Sequence, residues 1–167
     1  ADIHCVAMSP ATPQHEPSGR ALANTAGRGR RVLLVGATGT IGRATHRALC
    51  EAGHEVVCLV RPRQGAGSTQ ADTGLTERLP GATLLSGNAT DEGFWKQADL
   101  AHSHFDAVVS CMASRMGSPQ DAWRVDHQAH VWALQAAQAA GVKQFVQLSA
   151  ICVQKPLLAF QHAKLAF

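Results

Sequence analysis

With 167 residues the chain is long enough for one domain with a full core and too short for two. Its net charge of +3 is modest and the basic residues are not gathered into a stripe, which argues against nucleic acid as a partner. The cysteines (Cys5, Cys50, Cys58, Cys111, Cys152) have no C-x-x-C spacing, so they read as reduced, buried thiols rather than a zinc site or a disulfide framework.

Residues 1–29 mix Pro, Ser, Thr, Ala and Gly without periodicity and read as a flexible leader. The pattern changes at Arg31. Val32 to Val35 is a wholly apolar run ending in glycine, as expected of a strand buried on both faces. A helix should follow from Ile41 to Ala52, closed by Gly53, and a second strand from Glu55 to Val60. Residues 62–80 are rich in Gly, Pro, Ser and Thr and read as a loop. Ala82 to Leu85 should be a third strand, and Asp91 to Ala98 a short helix capped near Thr90. His102 and His104 are expected on a loop and not on a metal; no metal site is expected.

Asp106 to Ser110 reads as strand four. A long helix should run from Asp121 to Ala140, with Trp123, His127, Val131, Leu134 and Ala137 or Gln138 stepping at helical spacing. Phe145 to Ser149 reads as strand five, and a last helix should begin at Leu157 with Pro156 at its first turn. Strands alternating with helices imply an α/β fold, a doubly wound parallel sheet of the Rossmann kind, over residues 30–167. The chain stops inside what reads as a fresh helix, so C-terminal truncation is expected, with further strands and the substrate-binding part beyond Phe167. No apolar run approaches the roughly 20 residues that cross a bilayer, which leaves peripheral membrane association open.

Gly36, Gly39 and Gly42, with Thr38, Thr40 and Ile41 between them, lie directly between the first strand and its helix. That placement lets backbone N–H groups and a helix N-terminus meet a pyrophosphate, and it points to dinucleotide binding. At the end of the second strand an NAD site usually has an acid for the ribose 2′-hydroxyl. This chain has Arg61, whose guanidinium can fork onto a 2′-phosphate, so NADPH is the expected cofactor. Asn88 and Ala89, after strand three, should meet the adenine, and Cys111 and Ala113, after strand four, should pass beneath the adenine-side ribose.

Together with the stretches "EVVCLVRP", "VVSCMASRMGSPQDAWRVDHQAH" and "AAGVKQFVQLSAICVQKPLLAFQHAKLAF", these motifs resemble the atypical short-chain dehydrogenase/reductase family in its NmrA-like branch. Within that branch they resemble most the 8-vinyl reductases of (bacterio)chlorophyll biosynthesis, from about Arg31 to Phe167. The resemblance implies an NADPH-dependent oxidoreductase that reduces the 8-vinyl group of divinyl chlorophyllide or protochlorophyllide to ethyl. It also implies a place in photosynthesis: the cytoplasm of a phototrophic bacterium, or alternatively a plastid. Many short-chain reductases carry Tyr-x-x-x-Lys where this chain has Phe160-Gln-His-Ala-Lys164. A phenol serves proton exchange with a substrate oxygen. A vinyl group has no oxygen at the reacting carbon, so Phe160 agrees with the implied reaction. Lys164 is then expected to bond the nicotinamide ribose and lend positive charge, and Ser149 to orient nicotinamide or a water. His162, two residues from Lys164, falls on another helical face and is a poor proton donor. Two alternatives stay open: an NmrA-like dinucleotide-binding regulator without catalysis, and an isoflavone-reductase-like NADPH reductase of another substrate.

Overall fold

Five short runs of mainly aliphatic residues pair side by side in a computed structural model that describes residues 29–62 and 74–167. They are β1 (Arg31–Val35), β2 (Glu55–Val60), β3 (Thr83–Ser86), β4 (Ala107–Ser110) and β5 (Gln144–Gln147). Every pairing is parallel and the order is β3-β2-β1-β4-β5. The chain therefore winds out to one edge, returns to β1 and winds out to the other. In such sheets ligands bind outside the carboxyl ends of the strands where the winding reverses, here between β1 and β4.

The central strand explains the unbroken apolar run. Leu33 and Val35 join Val57, Leu59, Val108 and Phe145 in one core, packed against Trp95, Ala129, Ala133 and Ala137. Leu34 joins Val56, Cys58, Val60 and Leu79 in a second core on the other face. A strand covered on both sides has no position left for a polar residue.

The helices are α1 (Thr40–Glu51), α2 (residues 74–78), α3 (Glu92–Gln97), α4 (Pro119–Ala122), α5 (Ala129–Ala139) and α6 (Ala159–Ala166). α4 continues through a π-helical segment, Trp123–Gln128, into α5. Several boundaries depart from the sequence reading for identifiable reasons. The stretch read as a loop over 62–80 contains α2, whose Leu75 packs with Leu79 on the second core. Residues 63–73 of that stretch, and the leader up to residue 28, lie outside the described residues. The cap of α3 is Asp91 and not Thr90: Asp91 Oδ1 accepts the Gly93 N–H at 2.9 Å, while the Thr90 hydroxyl already donates to Asn88 Oδ1 at 2.9 Å. The long helix starts two positions early because Ser118 caps it, accepting from the Asp121 N–H, with Pro119 at the first helical position. α6 starts later than Leu157, since the Gln161 side chain holds the N–H groups of Leu157 and Leu158 at 2.9 and 3.0 Å. Of the described cysteines, Cys58 is buried, Cys50 and Cys111 are half-buried, and Cys152 is exposed.

The largest difference concerns the buried face of the long helix. Trp123, the first of the residues stepping at helical spacing, is 44% exposed, and the buried residues of the helix are Ala122, Asp126, Ala129, His130, Ala133 and Ala137. A helix lying close on a sheet has room only for small side chains, and the π-helical turn shifts the register by a residue. The bulky stripe is left on the flank.

Candidate nucleotide-binding groove

Each of the three glycines after β1 has its own task. Gly36 sits at φ +79°, and a Cβ there would stand 2.8 Å from the backbone of Cys111 and Met112, where the loops after β1 and β4 cross. A Cβ on Gly42 would collide with the Gly36 carbonyl oxygen and come within 2.8 Å of Ala37 Cα, so this glycine lets α1 press against the loop. Gly39 differs: its nearest neighbour would be the Gly36 oxygen at 3.5 Å, an ordinary contact. It faces open space. Gly39 is also the N-cap of α1, which has no side-chain cap and no acid in its first turn. The N–H groups that start α1 are thus left without a protein side-chain acceptor at a positive helix end, which suits a pyrophosphate.

This loop forms one wall of a groove of about 770 Å³ that runs along the carboxyl ends of β1 to β4. Gly36, Thr38, Gly39, Thr40, Ile41, Arg61, Asn88, Ala89, Cys111 and Ala113 all line it, so the fold gathers residues drawn from four separate loops. Arg61 is exposed at the end of β2, with no ion pair to any described residue. Asn88 Oδ1 is taken up by the Thr90 N–H at 3.1 Å and the Thr90 hydroxyl at 2.9 Å, which fixes the side chain at the groove wall. Trp95 locks the same turn from behind, its indole N–H donating to the Ala89 carbonyl at 2.9 Å.

The loop after β4 is held by two aspartates that the sequence reading did not single out. Asp121 Oδ2 accepts the N–H groups of Arg115 and Met116, each at 3.3 Å, and its Oδ1 pairs with Arg124 at 3.2 Å. The Met116 N–H, ahead of the Arg124 contact, keeps this carboxyl below the usual aspartate range despite some burial. Asp126, fully buried in the π-helical segment, accepts the Ser114 N–H on Oδ2 at 3.1 Å.

Lys164 and Ser149 do not line the groove. Ser149 is exposed on the loop after β5. Lys164 is buried behind the groove floor: its ammonium donates to the carbonyls of Met112 at 3.2 Å and Leu148 at 3.0 Å, and it pairs with Asp126 Oδ1 at 3.1 Å. Met112 and Leu148 are themselves lining residues. All three ammonium protons are therefore engaged within the protein, and a ribose hydroxyl would have to displace one of these partners. Phe160 is half-buried on α6, four residues before Lys164, and His162 is exposed on the same helix.

Beside Lys164 a buried histidine completes the polar layer. His130 Nδ1 lies 3.1 Å from the Val125 carbonyl, to which it must donate, leaving Nε2 to accept from the Ser110 hydroxyl at 2.8 Å. Burial, reinforced by the Lys164 charge, holds its pKa down from 6.5 to about 4. The unfolded chain takes up this proton as pH falls through 6.5, whereas the folded protein does so only near 4. Stability is thus present above 6.5 and lost towards 4, by about 3 kcal/mol from this residue. Urea midpoints measured over that range should fall steeply for the parent and less for His130→Gln; equal slopes would dismiss the effect.

Three comparisons bear on this groove. The family described as NAD(P)H-binding matches residues 36–165, which takes in every residue of the groove except Val35. A relative from Oryza sativa subsp. indica, a chloroplastic divinyl chlorophyllide a 8-vinyl-reductase, is 47% identical over 137 residues, covering 81% of this chain and 34% of its own. A photosystem II assembly factor Ycf39 from Synechocystis is 34% identical over 119 residues, 71% of this chain and 33% of that one. The chain therefore spans about a third of the length of the curated relatives it matches. Among solved structures, a putative NAD-dependent epimerase/dehydratase from Bacillus halodurans superposes with a TM-score of 0.63 at 24% identity, over 81% of this chain and 61% of that one. That likeness bears on the fold.

Proposed function

Because the chain belongs to the NAD(P)H-binding family, we propose that residues 30–167 are the NADPH-binding domain of a reductase that converts the 8-vinyl group of divinyl chlorophyllide or protochlorophyllide to ethyl. NADPH, when bound, supplies the hydride. The chain's own residues bind and orient. The uncapped start of α1, reached past Gly39, takes the pyrophosphate; Arg61 takes the 2′-phosphate; Asn88 and Ala89 meet the adenine; Cys111 and Ala113 run beneath the ribose. Lys164 adds positive charge from behind the floor, and Ser149 stands at the nicotinamide end. The observation that carries the choice of a carbon–carbon bond is Phe160: no phenol stands four residues before Lys164, and the vinyl group has no oxygen that needs one. The rice relative supports the choice of substrate.

Exposed apolar side chains on the loops after β4 and β5 support a large, flat, apolar partner at this edge. Met116 lines the groove and is 80% exposed, while Ile151 and Leu157 are 85% and 88% exposed. Among the described residues no helix is long and apolar enough to cross a membrane. The setting is a phototroph, in its bacterial cytoplasm or in a plastid. The deciding assay mixes the full-length protein with NADPH and divinyl chlorophyllide. Loss of nicotinamide absorbance together with a pigment heavier by two hydrogens is expected.

Three observations favour a second reading, a dinucleotide-binding regulator. The ammonium of Lys164 has no free proton, Phe160 supplies no hydroxyl, and one relative at 34% identity is an assembly factor. The same assay separates the two: NADPH binding without consumption, in the presence of pigment, selects the regulator.

A further inference from the structure

We propose that Asp126 is a positioning residue of the groove, a single carboxylate that holds the Lys164 charge under the floor with one oxygen and sets the β4 loop with the other. Neither oxygen touches the groove. Oδ1 lies 3.1 Å from the Lys164 ammonium and has no other partner, and Oδ2 accepts the Ser114 N–H at 3.1 Å. Ser114 and Met112 both line the groove, and Lys164 bonds the Met112 carbonyl. One carboxylate and one ammonium thus clamp both ends of the segment that crosses beneath the ligand, and they tie it to α6 and the loop after β5.

The energetics show why such a pair would be kept. Both side chains are almost wholly withdrawn from water, 3% and 0% exposed, and a buried pair of this kind adds little stability over apolar substitutes. What it adds is position: the pair is net neutral, but it fixes the ammonium with its other donors on the Met112 and Leu148 carbonyls of the floor and unable to swing into solvent. The π-helical turn is the local device that brings it about. It turns Asp126 inward between Ala122 and Ala129, toward α6, where its carboxylate meets Lys164 and the Ser114 N–H. The titratable groups facing Lys164 from the packed elements are Asp126 in the π-helical segment and His130 on α5, the latter neutral near pH 7. The loops after β4 and β5 present only carbonyls to it.

The inference rests on reading the groove as an NADPH site, and NADPH titration of the parent protein tests that reading separately. If the parent binds NADPH, Asp126→Asn and Lys164→Met should each weaken it about tenfold, and the double variant no more than either alone, as for a coupled pair. Independent roles would multiply to about a hundredfold. The pH profile is the readout that simple loosening would not move. In Asp126→Asn the ammonium is buried without its counter-charge and gives up its proton more readily. Above the range where the cofactor's own phosphate titrates, NADPH affinity should then fall further with rising pH than the parent's. Lys164→Met and the double variant should show no such fall. Should Asp126→Asn fail to fold, the double variant, which removes both charges together, is the better-tolerated protein. It should then bind NADPH about as weakly as Lys164→Met. Multiplicative losses, a flat profile in Asp126→Asn or parental affinity in the double variant would overturn the assignment. A parent that does not bind NADPH would overturn the cofactor reading, and the proposal with it.

Discussion

Gly39→Val is expected to yield a folded protein that no longer binds NADPH, and Gly42→Val a protein that scarcely folds. The two positions belong to one motif and look interchangeable in sequence, yet their surroundings differ. At Gly39 the backbone is at φ −74° and ψ 168°, a region any residue adopts, and a new Cβ meets only the Gly36 oxygen at 3.5 Å. The change costs about 1 kcal/mol as a poorer helix cap. Its branched side chain, however, stands in the mouth of the α1 N-terminus. Losing two charge-assisted hydrogen bonds at about 1.5–3 kcal/mol each corresponds to roughly 100-fold or more in affinity. At Gly42 the obstacle is backbone, the Gly36 carbonyl and Ala37 Cα, and no rotamer relieves it. α1 would have to lift from the loop, at about 3 kcal/mol or more, a large part of the stability of a small domain. Circular dichroism and NADPH titration of the two variants decide it. A folded Gly39→Val with parental affinity would remove the loop from the site.

The same contrast shows what a sequence can convey. The glycine spacing, the strand before it and the helix after it located the loop correctly, and Glu55–Val60 was legible to the residue because a strand covered on both faces has one simple rule. The division of labour among Gly36, Gly39 and Gly42 was not legible, since it depends on which backbone passes close by. The long helix misled for a related reason. Period counting rewards bulky apolar residues, so Trp123, His127, Val131 and Leu134 stood out at helical spacing. The residues buried along the helix are instead Ala122, Asp126, Ala129, His130, Ala133 and Ala137. Asp126 lies on the same small-residue stripe. An acid among alanines at helical spacing is the signal that could have marked it, although its partner Lys164 sits on another helix and leaves no local trace. The lysine itself was visible as the remnant of a familiar spacing. Its engagement with Asp126, Met112 and Leu148, instead of a free ammonium facing the cofactor, is a tertiary fact.

Arg61→Asp should turn the cofactor preference around. The guanidinium stands at the end of β2 on the groove wall, exposed and unpaired among the described residues, so its loss disturbs no internal contact and the fold should be unchanged. For NADPH the substitution replaces a charge-assisted pair worth about 1.5–3 kcal/mol with two like charges, which predicts a loss of roughly 10- to 100-fold or more. NADH has no 2′-phosphate to lose. An aspartate at the end of the second strand can accept from its ribose 2′-hydroxyl, so its affinity should hold or improve. Salt separates this from a general weakening: the parent's preference for NADPH should shrink as ionic strength rises, because an exposed pair is screened, while the variant's preference should hardly change. Equal losses for NADPH and NADH, measured side by side by fluorescence titration, would show that Arg61 is a solvated surface charge and that the choice of cofactor is made elsewhere in the groove.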